Sequence, residues 1–138
     1  MGIEENKVNI KRQVEKCWNK GDFSGVTELI SPEYVYHTPN GDLTGHEGFI
    51  QLITLWRTAC PDIRVNIDEM IGEGDAVAVR LSWKGTFTGK FQDYEPTGNP
   101  IKMEESFYHH FKEGKDLGPI AYANHLSLIK QMGVDITN

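Results

Sequence analysis

Histidine is the side chain whose ordinary pKa lies nearest neutrality, so it is the first group to weigh for proton transfer. His37 follows a short aromatic run and precedes Pro39, in Val35-Tyr36-His37-Thr38-Pro39. Facing a pocket it would act as a general base; facing a loop it would satisfy backbone groups. His109 and His110 are adjacent, so on a strand they point to opposite faces. His109 shares its face with Phe107 and Phe111 and is expected inside, which leaves His110 to face the solvent or a dimer partner. His125 falls on the apolar side of the last helical segment, as either a satisfied core group or a secondary site residue. Arg80 alternates with Ala76, Ala78 and Ser82. A guanidinium on such a small-residue face needs a carboxylate, with Asp68, Glu104 and Glu105 as candidates, or a polar pocket with a ligand. Trp56 and Trp83 are large enough to wall a pocket for a flat ligand, and equally suited to a core. His37, His109 and His125 lack metal-ligand spacing, so no metal is expected. Cys17 and Cys60, far apart among apolar neighbours, read as buried free thiols.

These groups must be positioned by regular elements. Ile10, Val14, Cys17 and Trp18 recur at helical spacing and predict a helix over 4–20, stopped by Gly21. A shorter helix over 23–30 ends at Ser31-Pro32, and 34–37 reads as a short strand. Thr44 and Glu47 form a capping-box pattern before Phe49, Ile53, Trp56 and Cys60, a third helix closed by Pro61. The period then drops to two. Ile63, Val65 and Ile67 alternate, 72–75 turns, and Ala76 to Trp83 alternates small or polar with apolar residues. Ile101 to Phe111 is a further strand, 112–115 a turn, and 117–123 a last strand. A closing helix over about 124–132 ends at Gly133. Helices first, then antiparallel strands, then one helix argue for an α+β fold. A curved antiparallel sheet packed with the N-terminal helices forms a cone around a pocket lined by alternate strand residues. The Gly/Pro-rich connection from Trp83 to Ile101 is long enough to expect a lid or an interface role.

The chain of 138 residues suits one domain, 1–138. Its formal charge of −6 and scattered Lys and Arg give no basic face for phosphates, so nucleic acid is excluded as a partner. The charged N-terminus has no apolar leader and no run reaches the length of a membrane span, so a cytoplasmic location is expected, with no membrane partner.

The order Cys60-Pro61-Asp62, Gly74-Asp75-Ala76-Val77-Ala78-Val79-Arg80, Gly85-Thr86-Phe87-Thr88-Gly89, Pro96-Thr97-Gly98-Asn99-Pro100 and Gln131-Met132-Gly133 resembles the SnoaL-like polyketide cyclases. These ester-cyclase-like proteins belong to the nuclear-transport-factor-two-like superfamily of α+β cones. The likeness covers about residues 8–134. It implies an aldol-type ring closure or related isomerisation of a small hydrophobic or aromatic metabolite, with no cofactor, in a homodimer formed through the outer sheet face. Such chemistry needs a base, an oxyanion partner and an acid. The resemblance makes His37 the base. It also exposes two departures. Phe87 stands where the pattern carries a histidine, and Asn124 where it carries an aspartate at the start of the closing helix. Phe87 cannot transfer a proton, and Asn124 can hold an oxygen but has no usable pKa. The resemblance therefore implies His37 and Asn124 as catalytic residues and Trp56, Arg80, Trp83, Phe87, His109 and His125 as substrate-binding residues. The alternative is a non-catalytic binding protein on the same cone. Epoxide-opening hydrolysis is a weaker third reading, because only Arg80 of an Asp–Arg–Asp set is evident.

Overall fold

The computed structural model describes residues 2–38, 41–123 and 125–134. Helix α1 spans Ile3–Arg12 and runs straight into a π-helical turn at Gln13–Trp18. The expected single helix over 4–20 is thus present, but its second half is widened. Helix α2 is one turn, Val26–Leu29. Strands β1 (Val35–Thr38) and β2 (Gly41–Thr44) pair antiparallel, with His37 opposite Asp42. The sequence did not foretell β2, because its four residues carry no apolar alternation; pairing with β1 makes it a strand.

Helix α3 covers Gly45–Ala59 and buries Phe49, Leu52, Ile53 and Ala59. Thr44 does occupy the N-cap, but its side chain makes no capping bond. Thr44 is also the last β2 residue, paired with Val35, and the Gly45 N–H donates to the Tyr34 carbonyl at 2.8 Å. The hairpin, rather than the expected Thr–Glu box, starts this helix.

Strands β3 (Arg64–Glu73), β4 (Ala76–Thr86), β5 (Pro100–Lys112) and β6 (Lys115–Ala123) form one antiparallel sheet in sequence order, followed by α4 (His125–Met132). Alternation divides its faces. Val77, Val79 and Trp83 on β4 and Ile101, Met103 and Phe111 on β5 are buried, while Arg80, Tyr108 and His110 are exposed. The α+β cone expected from the sequence is therefore observed, with helices on the inner side of a curved sheet. Among the described residues no helix is long and apolar enough to cross a membrane. Cys17 and Cys60 are buried free thiols, each pushed up to about 11 by burial.

Two glycines set how closely the pieces approach. At Gly89, a β-carbon would fall 1.8 Å from the Thr58 carbonyl oxygen, so the β4–β5 connection can lie on the end of α3 only because no side chain intervenes. At Gly118 (φ +108°) a β-carbon would fall 2.0 Å from the Val35 carbonyl oxygen. That contact seats the β1–β2 hairpin against β6. Gly118→Ala combines a disfavoured backbone angle with a backbone clash. It is expected to cost roughly 2–4 kcal/mol, measured by urea unfolding. A loss under about 0.5 kcal/mol would mean the hairpin shifts freely.

Candidate functional site

A cavity of about 120 Å³ opens between the helices and the inner sheet face. Its apolar wall includes Val14, Leu52, Trp56, Val65, Trp83 and Phe107. Its polar lining comes from Gln13, Tyr34, Tyr36, Glu105 and His109. An apolar cavity of ~150 Å³ is enough to hold benzene, so this one suits a single ring, with any larger ligand extending through the mouth.

Each side chain reaches the cavity for a local reason. On β5, Glu105, Phe107 and His109 follow one another at period two and all line it. Trp83 and Leu81 do the same on β4. The π-helical turn carries Gln13, Val14 and Trp18, which share the lining; such turns often mark functional sites. On β1, alternation sends Tyr36 inward. A bulge on β6 shapes the inner end. His109 pairs with Pro119 and Phe111 with Asp116, so β6 carries one extra residue, at Leu117–Gly118. Asp116 and Pro119, three apart, thereby share the inner side.

Asp116 is fully buried behind the cavity wall. Its Oδ2 lies 2.7 Å from His109 Nδ1 and accepts from Gln13 Nε2 at 2.9 Å, and its Oδ1 accepts from the Gly118 N–H at 2.8 Å. Burial alone would push its carboxyl up; the charge and hydrogen bond of His109, with those from Gln13 and Gly118, outweigh burial and hold it below the ordinary range. Tyr34 is raised well above the usual phenol range by burial and then by the Asp116 charge. Glu105 is the opposite case. Burial in the apolar cavity pushes its carboxyl up to about 7, against the smaller opposing effect of a hydrogen bond from Trp83. Tyr36 is pushed up to about 12 by burial and by the Glu105 charge.

The structure brings Trp56, Trp83 and His109 together on the cavity, with the Trp56 and Trp83 rings 5.4 Å apart. It places His37, Arg80 and Phe87 elsewhere. His37 is not among the lining residues: its neighbour Tyr36 takes the inward position, and His37 faces solvent with Nδ1 2.8 Å from Asp42 Oδ1 and its side chain 73% exposed. Arg80 occupies the outer sheet face, 3.9 Å from Asp68 and 4.0 Å from Glu69. The ion-pair reading through Asp68 holds, whereas Glu105 lies on the opposite face. Phe87 belongs to the core beside Ala59, Cys60 and Ile101 rather than to the lining. Its N–H donates to the Asn99 carbonyl, and its carbonyl accepts from the Gly98 N–H. This closes the base of the connection and explains a phenylalanine at that place: its burial contributes roughly 1.5–3 kcal/mol. The connection is a strap rather than a lid. Between the strands, none of residues 87–99 is among the cavity-lining residues, although the Phe91 ring lies tilted against Trp56 with centroids 4.6 Å apart. Asn124 lies outside the described residues, and His125 opens α4.

Sequence reasoning missed Gln13, Tyr34, Tyr36, Glu105 and Asp116. Glu105 was discoverable, since it shares strand parity with Phe107 and His109. Asp116 was not, because the bulge that turns it inward has no sequence signature beyond Gly118.

The curved sheet, the capping helices and the cavity between them define an α+β cone with a largely apolar cavity. Solved structures share the fold. A Jannaschia sp. CCS1 protein assigned to the SnoaL-like polyketide cyclases superposes with TM-score 0.87 at 18% identity, over 98% of this chain and 96% of that one. TsrD from Streptomyces laurentii gives TM-score 0.86 at 20% identity, over 96% and 98%. TerC, co-crystallised with polyporic acid, gives 0.74 at 15%, over 94% and 99%. No curated protein matches the sequence. Residues 8–132 match the SnoaL-like polyketide cyclase family, and the chain belongs to that family.

Proposed function

We propose that the protein catalyses proton transfer on a small hydrophobic metabolite, as an intramolecular aldol-type ring closure or a related isomerisation, with Glu105 as the acid–base group. The observation that carries this reading is a carboxyl on the wall of an apolar cavity, pushed up to about 7. A carboxylate of that basicity removes a proton from carbon flanked by two carbonyls at neutral pH. The C–H electron pair passes into the enolate, which attacks a second carbonyl of the same molecule. Protonated Glu105 then returns the proton to the new alkoxide, so the product is an isomer of the substrate. Tyr36, which also lines the cavity and whose phenol is pushed up to about 12 by burial and by the Glu105 charge, serves in this reading as the donor to the enolate oxygen. Leu128 of α4 lines the cavity, and Asn124, just before that helix, is kept as an oxyanion partner on the family resemblance.

The test is deuterium incorporation into β-keto esters in heavy water, followed by proton NMR, with wild type beside Glu105→Gln. Catalysed exchange lost in the variant supports the reading. Exchange that survives in the variant assigns the base elsewhere. Ligand-induced shifts with no catalysed exchange point to the binding-protein alternative, which Phe87 and Asn124 favour at their altered family positions.

The expected homodimer has a candidate surface. Ile71, Ala78, Tyr108 and Ile120 are cross-strand neighbours over all four strands of the outer face. Ile71 and Ile120 are 61% and 53% exposed. We propose that a second copy covers this row. Sedimentation of Ile120→Glu is expected to give monomers where wild type gives dimers; a wild-type monomer would dismiss the proposal.

A further inference from the structure

The inner end of the cavity holds a chain of hydrogen bonds whose direction is fixed by its far end. Asn9 Nδ2 donates to two backbone carbonyls, Leu29 at 2.9 Å and Gly114 at 3.1 Å. Carbonyls only accept, so the Asn9 amide has one permitted orientation, and its Oδ1 must be an acceptor. Gln13 Nε2, 2.8 Å from that oxygen, is therefore the amino side of its amide, and its second N–H goes to Asp116 Oδ2. Asp116 is an ionised acceptor, filled on Oδ1 by the Gly118 N–H. His109 Nδ1, 2.7 Å from Oδ2, must then carry the proton in that bond. One tautomer of the neutral imidazole remains: hydrogen on Nδ1, lone pair on Nε2. The ring lines the cavity, and with Nδ1 turned to the buried carboxylate, Nε2 is the nitrogen left for a ligand.

We infer that Asn9, Gln13 and Asp116 are positioning residues that lock His109 as an Nε2 acceptor, and that this end of the cavity seats an acidic enol or phenol hydroxyl of the ligand. The inference rests on the reading of the cavity as a substrate site and specifies the substrate class. On seating, the ligand O–H bond breaks and an N–H bond forms at Nε2. The electron pair stays on the ligand oxygen, which accepts a hydrogen bond from the imidazolium it has created, while Asp116 balances the new positive charge from behind. Glu105 lies four residues along the same strand face, ~13 Å away. A flat ligand anchored at His109 thus extends past Phe107 toward the proposed carbon base. The apolar wall between them suits aromatic or conjugated surface.

Two readouts test this. The first needs no variant. Nitrogen-15 correlation spectra of ring-labelled wild type, above the titration range of histidine, are expected to show His109 protonated on Nδ1 and bare on Nε2. The reverse tautomer overturns the inference. The second uses p-nitrophenol as probe, whose phenol and phenolate absorb at different wavelengths. At a pH where the free probe is mostly neutral, the wild-type protein is expected to bind it as phenolate. Asp116→Asn, which presents N–H to the ring where the carboxylate was, is expected to reverse the tautomer and weaken phenolate binding by roughly 10- to 100-fold. If Asp116→Asn does not fold, Gln13→Leu, which removes only one donor to Oδ2, is expected to weaken it in the same direction. A probe that binds as neutral phenol, or fails to bind wild type, overturns the inference. Loss of deuterium exchange in Glu105→Gln does not depend on the ring tautomer, so the two readings fail separately.

Discussion

Glu105→Gln is expected to lower catalysed carbon-acid exchange by a factor of 10² to 10⁴, the usual range for removing a positioned acid–base group. Glutamine keeps the shape of the side chain and can still accept the Trp83 N–H, so the loss reports the proton-transferring carboxyl rather than the packing. The pH dependence gives a sharper signature. The working form of the base is the carboxylate, so kcat/KM in wild type is expected to rise with pH through about 7 and then level off. The stability of the fold has the opposite slope. The folded-state value lies above the ordinary 4.5, so the native protein binds more protons than the unfolded chain between about 4.5 and about 7. Stability supplied by this group is complete below about 4.5 and falls as pH rises through that window. A shift of this size corresponds to at most roughly 3–4 kcal/mol, less to the extent that water enters the cavity. Glu105→Gln removes the slope, so it is expected to be relatively more stable than wild type above pH 7 while being less active. A variant that loses activity and stability in parallel at pH 8 would show that Glu105 is structural.

Periodicity carried most of the fold. The helical spacing of Ile10, Val14 and Cys17 and the alternation of Ala76 to Trp83 each reflect one buried face; the strand formed as expected, and the helix formed with its second half widened to a π-helical turn. The site was less legible because its residues are the exceptions to those patterns. Gln13 and Asn9 interrupt the apolar stripe of the first helix, and Glu105 interrupts the apolar inner face of β5. Read singly, a polar residue on an apolar face looks like noise; only the assembled structure shows Asn9 and Gln13 joined to Asp116 and His109 at the inner end, with Glu105 further along β5. His37 illustrates the converse. A histidine beside aromatic residues is conspicuous in sequence, but strand parity gives the interior to Tyr36. The family resemblance fixed the cone but not the chemistry: Phe87, expected in the site, is a core residue.

The second large effect is on folding, at Asp116. Its side chain accepts hydrogen bonds from Gln13, His109 and Gly118, and its own carbonyl accepts from the Ser31 N–H at 3.0 Å. It therefore ties the first helical segment, both strands of the last hairpin and the end of α2 at one fully buried point. Asp116→Ala leaves the Gln13, Gly118 and His109 Nδ1 donors without their acceptor. Each buried donor left unsatisfied costs about 1–3 kcal/mol, so the three together are expected to cost at least about 3 kcal/mol. Domains of this size hold about 5–15 kcal/mol in all, so Asp116→Ala is expected to be largely unfolded on modest warming. The acid limb carries the same signature. The folded-state carboxyl lies below its ordinary 3.8, so its contribution is complete above that value and is lost as pH falls through the folded one. Asp116→Asn is expected to flatten that limb while costing less at neutral pH, because it keeps the volume and the acceptor for Gly118. Urea titrations at pH 7 and pH 3.5 measure both effects. A loss under about 1 kcal/mol for Asp116→Ala at pH 7 would show that this buried network contributes little to stability. In that case its directionality, which fixes the His109 tautomer, would be left as the reason for burying a charge there.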